Sequence, residues 1–210
     1  MKKQKCMNNK GYSMVEMMIV IAIIGILTAA SLITLRAVDN SKYRKAVTTL
    51  ESEMTTLRTT TIAQDSRMAM LLYYDASDGC YYIKRGLWGD PDGNGTNAFH
   101  EVEDLPDSDV LKNSTYYDYA GTSSPVKVLK NGSISYTLFY EADVNEQGVV
   151  LAYNKSDGSF YMPGQIMQEL DENGNVVTPK TVTFSLYRKN GELITNVVVQ
   201  VPTGIFYETY

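Results

Sequence analysis

The sequence predicts an α+β protein: a long N-terminal helix, with a membrane half and an amphipathic half, packed on a mostly antiparallel β-sheet head. Two observations predict this fold class. From Met17 to Leu35 the chain carries no charged residue, which is typical of a long apolar helix. The second half is a series of short β-rich runs separated by Asn-Gly and Asp-Gly turns, which indicates hairpins. A helix with one apolar stripe can cover one face of such a sheet.

The composition fits one long element and one modest globular domain. Of the 210 residues 44% are hydrophobic and 20% charged, which excludes wholesale disorder. The net charge is −5, and four lysines (2, 3, 5 and 10) precede Gly11, so the chain after Gly11 carries −9. Because an acidic body repels polyanions, no direct nucleic-acid binding is expected.

The apolar run has the length of a membrane span. As a helix it measures roughly 28 Å, close to the ~30 Å thickness of a hydrocarbon core. The lysines before it place the N-terminus in the cytoplasm and the head outside. Glu16 stands at the head of this run, where a carboxylate is unfavourable unless it has a partner. An ordinary export signal, cut behind the small residues of "LTAAS" (27–31), stays open as an alternative.

The stretch "KGYSMVEMMIVIAIIGILTAA" resembles the N-terminus of type IV prepilins and pseudopilins. The resemblance implies that a prepilin peptidase cuts between Gly11 and Tyr12 and methylates the new amine of Tyr12. It also implies that the Glu16 carboxylate meets that amine during assembly. Two departures are a tyrosine where the family more often has phenylalanine, and a helix that lacks the proline found in many type IV pilins and has only Gly25 as a weak point.

The resemblance implies a function and a set of partners. The chain would be a structural subunit, not an enzyme, of a type IV pilus or of a secretion- or competence-type pseudopilus. It would lie in the cytoplasmic membrane, in contact with lipid, before it polymerises into an extracellular filament. Its partners would be other pilin subunits, a prepilin peptidase, an assembly ATPase and a membrane platform protein. The alternative is a monomeric secreted or membrane-anchored extracellular binding domain.

The expected domain organisation has four parts. Residues 1–11 are a basic leader, 12–36 a transmembrane and filament-core helix, 37–77 its amphipathic continuation, and 78–210 a β-rich head. In the continuation, apolar residues recur at three- and four-residue steps and predict a stripe packed on the sheet: Val38, Tyr43, Val47, Leu50, Met54 and Leu57. Gly79 is predicted to stop this helix.

The head is predicted from five β-rich runs and the turns between them. The runs are "SISYTLFYEADV", "VVLAYN", "SFYMPG", "VTFSLYRK" and "LITNVVVQV". The turns are "KNGS", "KSDG", "DENGN" and "RKNGE". Because tight turns of this kind join neighbouring antiparallel strands, we expect at least five strands linked by hairpins in a mostly antiparallel sheet.

One loop fits the template of a calcium-binding loop. "DPDGNGTNAFHE" (90–101) matches D-x-[DN]-x-[DN]-G-x5-E at each specified position. The oxygen ligands would come from Asp90, Asp92, Asn94, Thr96 and Glu101. The flanking segments are not helical, and the same residues suit a plain solvated turn. A structural calcium ion is therefore one expectation for this loop, and no other cofactor is expected.

Catalysis has little support in the sequence. His100 is the one histidine and Cys80 the one cysteine beyond the leader. No zinc-protease motif or phosphate loop is present. The remaining enzyme hypothesis is an exported hydrolase that uses His100, with Cys80 or a Ser–Asp pair as its partners.

Overall fold

The computed structural model describes residues 13–63, 67–90, 95–101, 124–170 and 175–209, without the side chains of 30–39 and 169–170. The chain divides into two compact units, 1–42 and 43–210. One helix, α1 (Met14–Ala63), begins in the first unit, and thirteen strands follow in the described part of the second. The α+β class is confirmed.

In the first unit the described part of α1 exposes apolar side chains on every side. Large hydrophobic residues between Met14 and Leu27 are 47% to 80% exposed. Within the described residues, no helix meets the length and hydropathy criteria for crossing a membrane. The transmembrane half of the expected helix therefore stays a prediction.

The helix ends earlier than expected. We predicted that the amphipathic continuation runs through 37–77, but α1 ends at Ala63 and β1 occupies Met68–Asp75. The prediction was wrong because β1 is buried on both faces, with Ala69 and Met70 both fully buried. Such a strand has a continuous apolar run instead of an alternating one, and this run resembles a buried helix. Gly79, at φ +66°, lies in the turn between β1 and β2 and is no helix stop.

The first sheet is antiparallel and has β1 at its centre. Its strand order is β3-β2-β1-β7-β8, and β4 also pairs with β2. The strands are β1 (Met68–Asp75), β2 (Cys80–Gly89), β3 (Ala98–His100), β4 (Val126–Lys130), β7 (Val149–Tyr153) and β8 (Phe160–Tyr161).

The second sheet has the order β13-β12-β11-β5-β6 and is also antiparallel. Its strands are β5 (Gly132–Thr137), β6 (Glu141–Asp143), β11 (Thr181–Arg188), β12 (Leu193–Gln200) and β13 (Phe206–Thr209). A separate hairpin pairs β9 (Glu169–Leu170) with β10 (Val176–Val177). The five predicted β-rich runs all contain strands. The hairpin prediction is confirmed for the strands that flank "KSDG", "DENGN" and "RKNGE", which pair with each other. It was wrong at "KNGS", because β4 pairs with β2 in the first sheet and β5 pairs with β11 in the second, a choice that local turn residues do not determine.

The core of the second unit joins the end of α1 to both sheets. Of the predicted stripe, Val47, Leu50, Met54 and Leu57 are buried and Tyr43 is partly buried against them. They pack in one cluster with β1, β7 and β11. The predicted packing of the helix on the sheet is confirmed for the residues from Tyr43 onward.

An ion pair fixes the helix to the first sheet inside this core. The Arg85 guanidinium on β2 donates to both carboxylate oxygens of Glu53, from Nε at 2.7 Å and from Nη2 at 2.8 Å. Glu53 is only 8% exposed. A two-bond contact satisfies a buried carboxylate and sets the direction of both side chains.

Candidate functional site

The described chain begins with a helix cap built from Ser13 and Glu16. The Glu16 N–H donates to Ser13 Oγ at 3.2 Å, and the Ser13 N–H donates to Glu16 Oε2 at 3.0 Å. The Met17 N–H donates to the Ser13 carbonyl at 3.2 Å, which closes the first turn. This reciprocal arrangement is a capping box, which satisfies two of the backbone donors that a helix start leaves without partners.

This cap was not predicted, although its signal is present in the sequence. The capping box has the form S/T-x-x-E/Q before an apolar run, and "SMVE" (13–16) fits it. Glu16 was interpreted only as a charge that waits for a partner. The structure gives its carboxylate a local role as well, at the exposed N-terminal end of α1.

The two predicted processing residues lie immediately before this cap. Gly11 and Tyr12 are outside the described residues, so the structure does not test them. Ser13 is the last residue before the helix. The first residue of α1, Met14, follows Tyr12 by two positions in the sequence.

The apolar residues behind the cap form an uncovered surface in the first unit. Ile21, Ile26 and Leu27 are 61% to 70% exposed. The Gly25 position is open, since a Cβ there would meet nothing within 4 Å. A contiguous apolar surface of this kind is typical of a segment that contacts lipid or other protein chains.

The predicted calcium loop connects β2 to β3. Gly89 pairs with Ala98, so residues 90–97 form the hairpin connection. The Gly95 N–H donates to Asp90 Oδ2 at 2.7 Å, which brings the sixth template position back to the first. Asp92 and Asn94 lie outside the described residues, and Thr96 is exposed. No group of three or more acidic, histidine or cysteine residues within the described ranges is arranged to hold a metal ion.

The hairpin register separates the two ends of the template. His100 pairs with Leu87, so Glu101 lies next to Gly86 and about 13 Å along the strand axis from Asp90. The Glu101 carboxylate forms an ion pair with Lys84. In this register Asp90 and Glu101 do not reach one ion. Calcium binding by the loop itself stays a prediction.

The geometry does not assemble the predicted catalytic pairs. Cys80 begins β2, and His100 pairs with Leu87 seven residues further along the strand, so the two side chains are about 20 Å or more apart. Cys80 is fully buried. The His100 Nε2 atom is buried and has no hydrogen-bond partner within the described ranges. A Cys–His nucleophile at these positions is therefore excluded by distance.

Comparison with known families matches the N-terminal segment. Residues 6–32 match the prokaryotic N-terminal methylation motif. The matched residues include Gly11, Tyr12, Ser13 and Glu16, so the prepilin-type resemblance of this segment is confirmed. Pilin-like proteins that carry the motif are structural and not catalytic. Comparison of the chain with curated proteins and with solved structures found no match.

Proposed function

We propose that this chain is a structural subunit of a type IV pilus or pseudopilus, cut between Gly11 and Tyr12 and polymerised through α1. The observation that carries the proposal is the methylation motif at 6–32, which includes the exposed apolar residues of α1 between Met14 and Leu27. A helix that begins directly behind the cleavage site supports the same function, because cleavage leaves the apolar helix on the mature protein. The leader alone is removed.

In the proposed mechanism Glu16 has two successive partners. In the precursor its carboxylate accepts from the Ser13 N–H. After cleavage the N-methylated amine of Tyr12 carries a positive charge, and a carboxylate binds an ammonium group more strongly than a neutral amide. In a bundle of apolar helices an unpaired charge is costly. Pairing of Glu16 with the Tyr12 amine of a neighbouring subunit would therefore set the register between subunits.

The proposed location follows from the same segment. The subunit lies in the cytoplasmic membrane, with its N-terminus inside and residues 43–210 outside, before a filament forms. A prepilin peptidase, an assembly ATPase and a platform protein act on it. The acidic chain beyond the leader disfavours direct capture of DNA by this subunit.

Two substitutions at Glu16 distinguish the role of its side chain in the helix cap from the role of its negative charge. Glu16→Gln keeps a side chain that can cap the helix but removes the negative charge, whereas Glu16→Ala removes both. We expect both variants to be cleaved normally and neither to form filaments. Filaments are counted by electron microscopy of sheared cells, and cleavage is measured by mass spectrometry of the N-terminus. Normal filaments from Glu16→Gln would contradict charge pairing as the docking step.

The N-terminal residue of the exported protein tests the proposal itself. We expect N-methyl-tyrosine at position 12, and a Gly11→Val variant that stays uncleaved. A matched Gly25→Val variant should be cleaved, since Gly25 lies in the apolar run behind the cap. An exported chain that begins at Ser31 would instead support the monomeric binding domain, because the apolar run would then be only a signal.

A further inference from the structure

Among the residues that the structure describes, three buried polar groups without partners lie near the end of α1 and two turns of the head. They are the Arg58 Nε, the Thr61 hydroxyl and the Tyr153 hydroxyl. Thr61 and Tyr153 are fully buried, and none of the three atoms has a hydrogen-bond partner among the residues that the structure describes. Because buried polar groups almost always have a partner, three in one region indicate a bound group.

The helix places Arg58 and Thr61 on one face. They are three residues apart, so their Cβ atoms are about 5–6 Å from each other. The neighbouring Thr59 and Thr60 donate their hydroxyls to carbonyls one turn back, at 2.9 and 2.7 Å. The Thr61 hydroxyl makes no such bond among the described residues. It is therefore available to another acceptor.

Two glycine turns bring Tyr153 to the same place. A Cβ on Gly158 would stand 3.2 Å from Arg58 Nη2, and one on Gly204 would stand 2.8 Å from Tyr153 Cε1. The same Cβ on Gly204 would stand closer still to the Gly158 carbonyl oxygen. The Arg58 side chain and the Tyr153 ring thus pack on one pair of turns. The charge of Arg58 also acts on the Tyr153 phenol, lowering a pKa that burial raises.

The three groups share one chemical property, since each can donate a hydrogen bond. The Arg58 Nε–H can only donate, and the Tyr153 phenol stays protonated because burial raises its pKa. Arg58 Nη2 donates to the Thr203 carbonyl at 3.0 Å, and no ion pair joins Arg58 to a carboxylate within the described ranges. A set of donors around one positive charge suits an anion, and because Thr61 and Tyr153 are fully buried the anion has to be small.

We propose that Arg58, Thr61 and Tyr153 bind a halide ion, chloride in the natural setting. The ion accepts one hydrogen bond from each group and balances the guanidinium charge. It joins the end of α1 to β7 without a disulfide, and within the described residues Cys80 is present as a free thiol. The site is independent of the N-terminal segment, so it does not rest on the proposed function.

Halide-dependent stability tests the site. The melting temperature of the full-length chain in detergent is measured in sodium chloride, sodium bromide and sodium gluconate at one ionic strength. A ligand that binds only the folded state stabilises it by an amount that grows with the logarithm of the ligand concentration once that concentration exceeds the dissociation constant. We expect a higher melting temperature in chloride than in gluconate, and no such difference in Thr61→Val or Tyr153→Phe, which keep the side-chain shape but lose the hydroxyl.

Matched variants control for general salt effects. Thr60→Val makes the same substitution one residue away, at a threonine whose hydroxyl already has a backbone acceptor. Tyr161→Phe makes the same change on β8. Both should keep the full difference between chloride and gluconate. An equal difference in Thr61→Val, Tyr153→Phe and the wild type would overturn the proposal.

Anomalous diffraction from crystals grown in bromide locates the ion directly. We expect a bromide peak within hydrogen-bond distance of the Arg58 Nε, the Thr61 hydroxyl and the Tyr153 hydroxyl. A peak at this position supports the site. A bridging water with no anomalous signal overturns it, because water would then supply the missing partners.

Discussion

The Glu53 carboxylate on α1 and the Arg85 guanidinium on β2 are joined by two hydrogen bonds, of 2.7 and 2.8 Å. Their side chains are 10% and 20% exposed. This pair connects the helix to the first sheet. If either partner is replaced by an apolar residue, the other is left as an unpaired charge with little access to water.

We expect Arg85→Met to lower the free energy of unfolding by about 3 kcal/mol or more, because it leaves the Glu53 carboxylate buried without its partner. Glu53→Met/Arg85→Met should be less destabilised than Arg85→Met alone, since an apolar pair of similar volume removes both charges. Urea denaturation measures both values. Lys84→Met is the matched control on the same strand, and we expect it to cost no more than about 1 kcal/mol because its pair with Glu101 is more exposed.

The Ser13 cap makes a separate prediction for the start of α1. Ser13→Ala removes the acceptor of the Glu16 N–H and should weaken the first turn by about 1 kcal/mol. Hydrogen exchange at the Glu16 amide should then be about five times faster, as measured by NMR on the full chain in detergent. Ser13→Thr keeps the hydroxyl and should exchange like the wild type. Equal protection in Ser13→Ala would mean that the cap does not hold the helix start.

The raised pKa of Glu51 predicts that the free energy of unfolding depends on pH. Burial, and secondarily the Glu208 carboxylate, raise its pKa above the ordinary value of 4.5. The folded state therefore binds a proton more readily than the unfolded state, so this residue favours folding at low pH, and that contribution is lost as pH rises through the raised pKa. Glu51→Gln should be more stable than the wild type at neutral pH, and this advantage should vanish below 4.5.

Melting temperatures across this pH range measure the effect. Glu208→Gln should reproduce part of it, because Glu208 supplies only the second cause of the shift. A gain for Glu51→Gln that is equal at both ends of the pH range would show that the charge of Glu51 is not responsible.

Gly204 should be far less tolerant of substitution than Gly191. Both residues have a positive φ, of 64° and 80°, so alanine costs about 1–2 kcal/mol in backbone conformation at either site. A Cβ on Gly204 would also collide with the Gly158 carbonyl oxygen, whereas one on Gly191 meets nothing within 4 Å. Urea denaturation should show a clearly greater loss for Gly204→Ala. Similar losses would contradict the close contact between the two turns.

Calcium binding by the loop at 90–96 is tested by removing one ligand from each end of the template. We expect calcium to raise the melting temperature of the full chain and Asp90→Asn to abolish the rise. Glu101→Gln should keep it, because the hairpin register holds Glu101 too far from Asp90. Differential scanning calorimetry with and without a chelator measures the shift. A melting temperature that does not respond to calcium would show that the loop is a plain hairpin turn.

In the second unit, elements that depend on residues within one short segment were predicted correctly from local sequence patterns. The stripe through Leu50, Met54 and Leu57 appears at helical spacing and is buried. The "KSDG" turn joins β7 to β8 and the "RKNGE" turn joins β11 to β12, and the two strands of each hairpin pair with each other. These features depend on backbone preferences within a few residues, so the sequence alone was sufficient.

Other features needed contacts between distant segments. The end of α1 at Ala63 could not be predicted, because Met68–Asp75 becomes a strand only through its pairing with β2 and β7. Likewise, the calcium template spans twelve consecutive positions, but the pairing of β2 with β3 decides which of its specified residues can meet.

The sequence by itself determined the motif of the N-terminal segment. Gly11, Tyr12, Ser13 and Glu16 stand at fixed spacings before an apolar run, and such short spacings can be recognised from the sequence without knowledge of the fold. Only the tertiary structure decided what the buried charges and hydroxyls contact. Glu53 meets Arg85 across 32 positions of sequence, and Arg58 reaches the Thr203 carbonyl across 145. Such partners depend on how the strands pair and how the helix packs on them, and a local sequence pattern does not specify either arrangement.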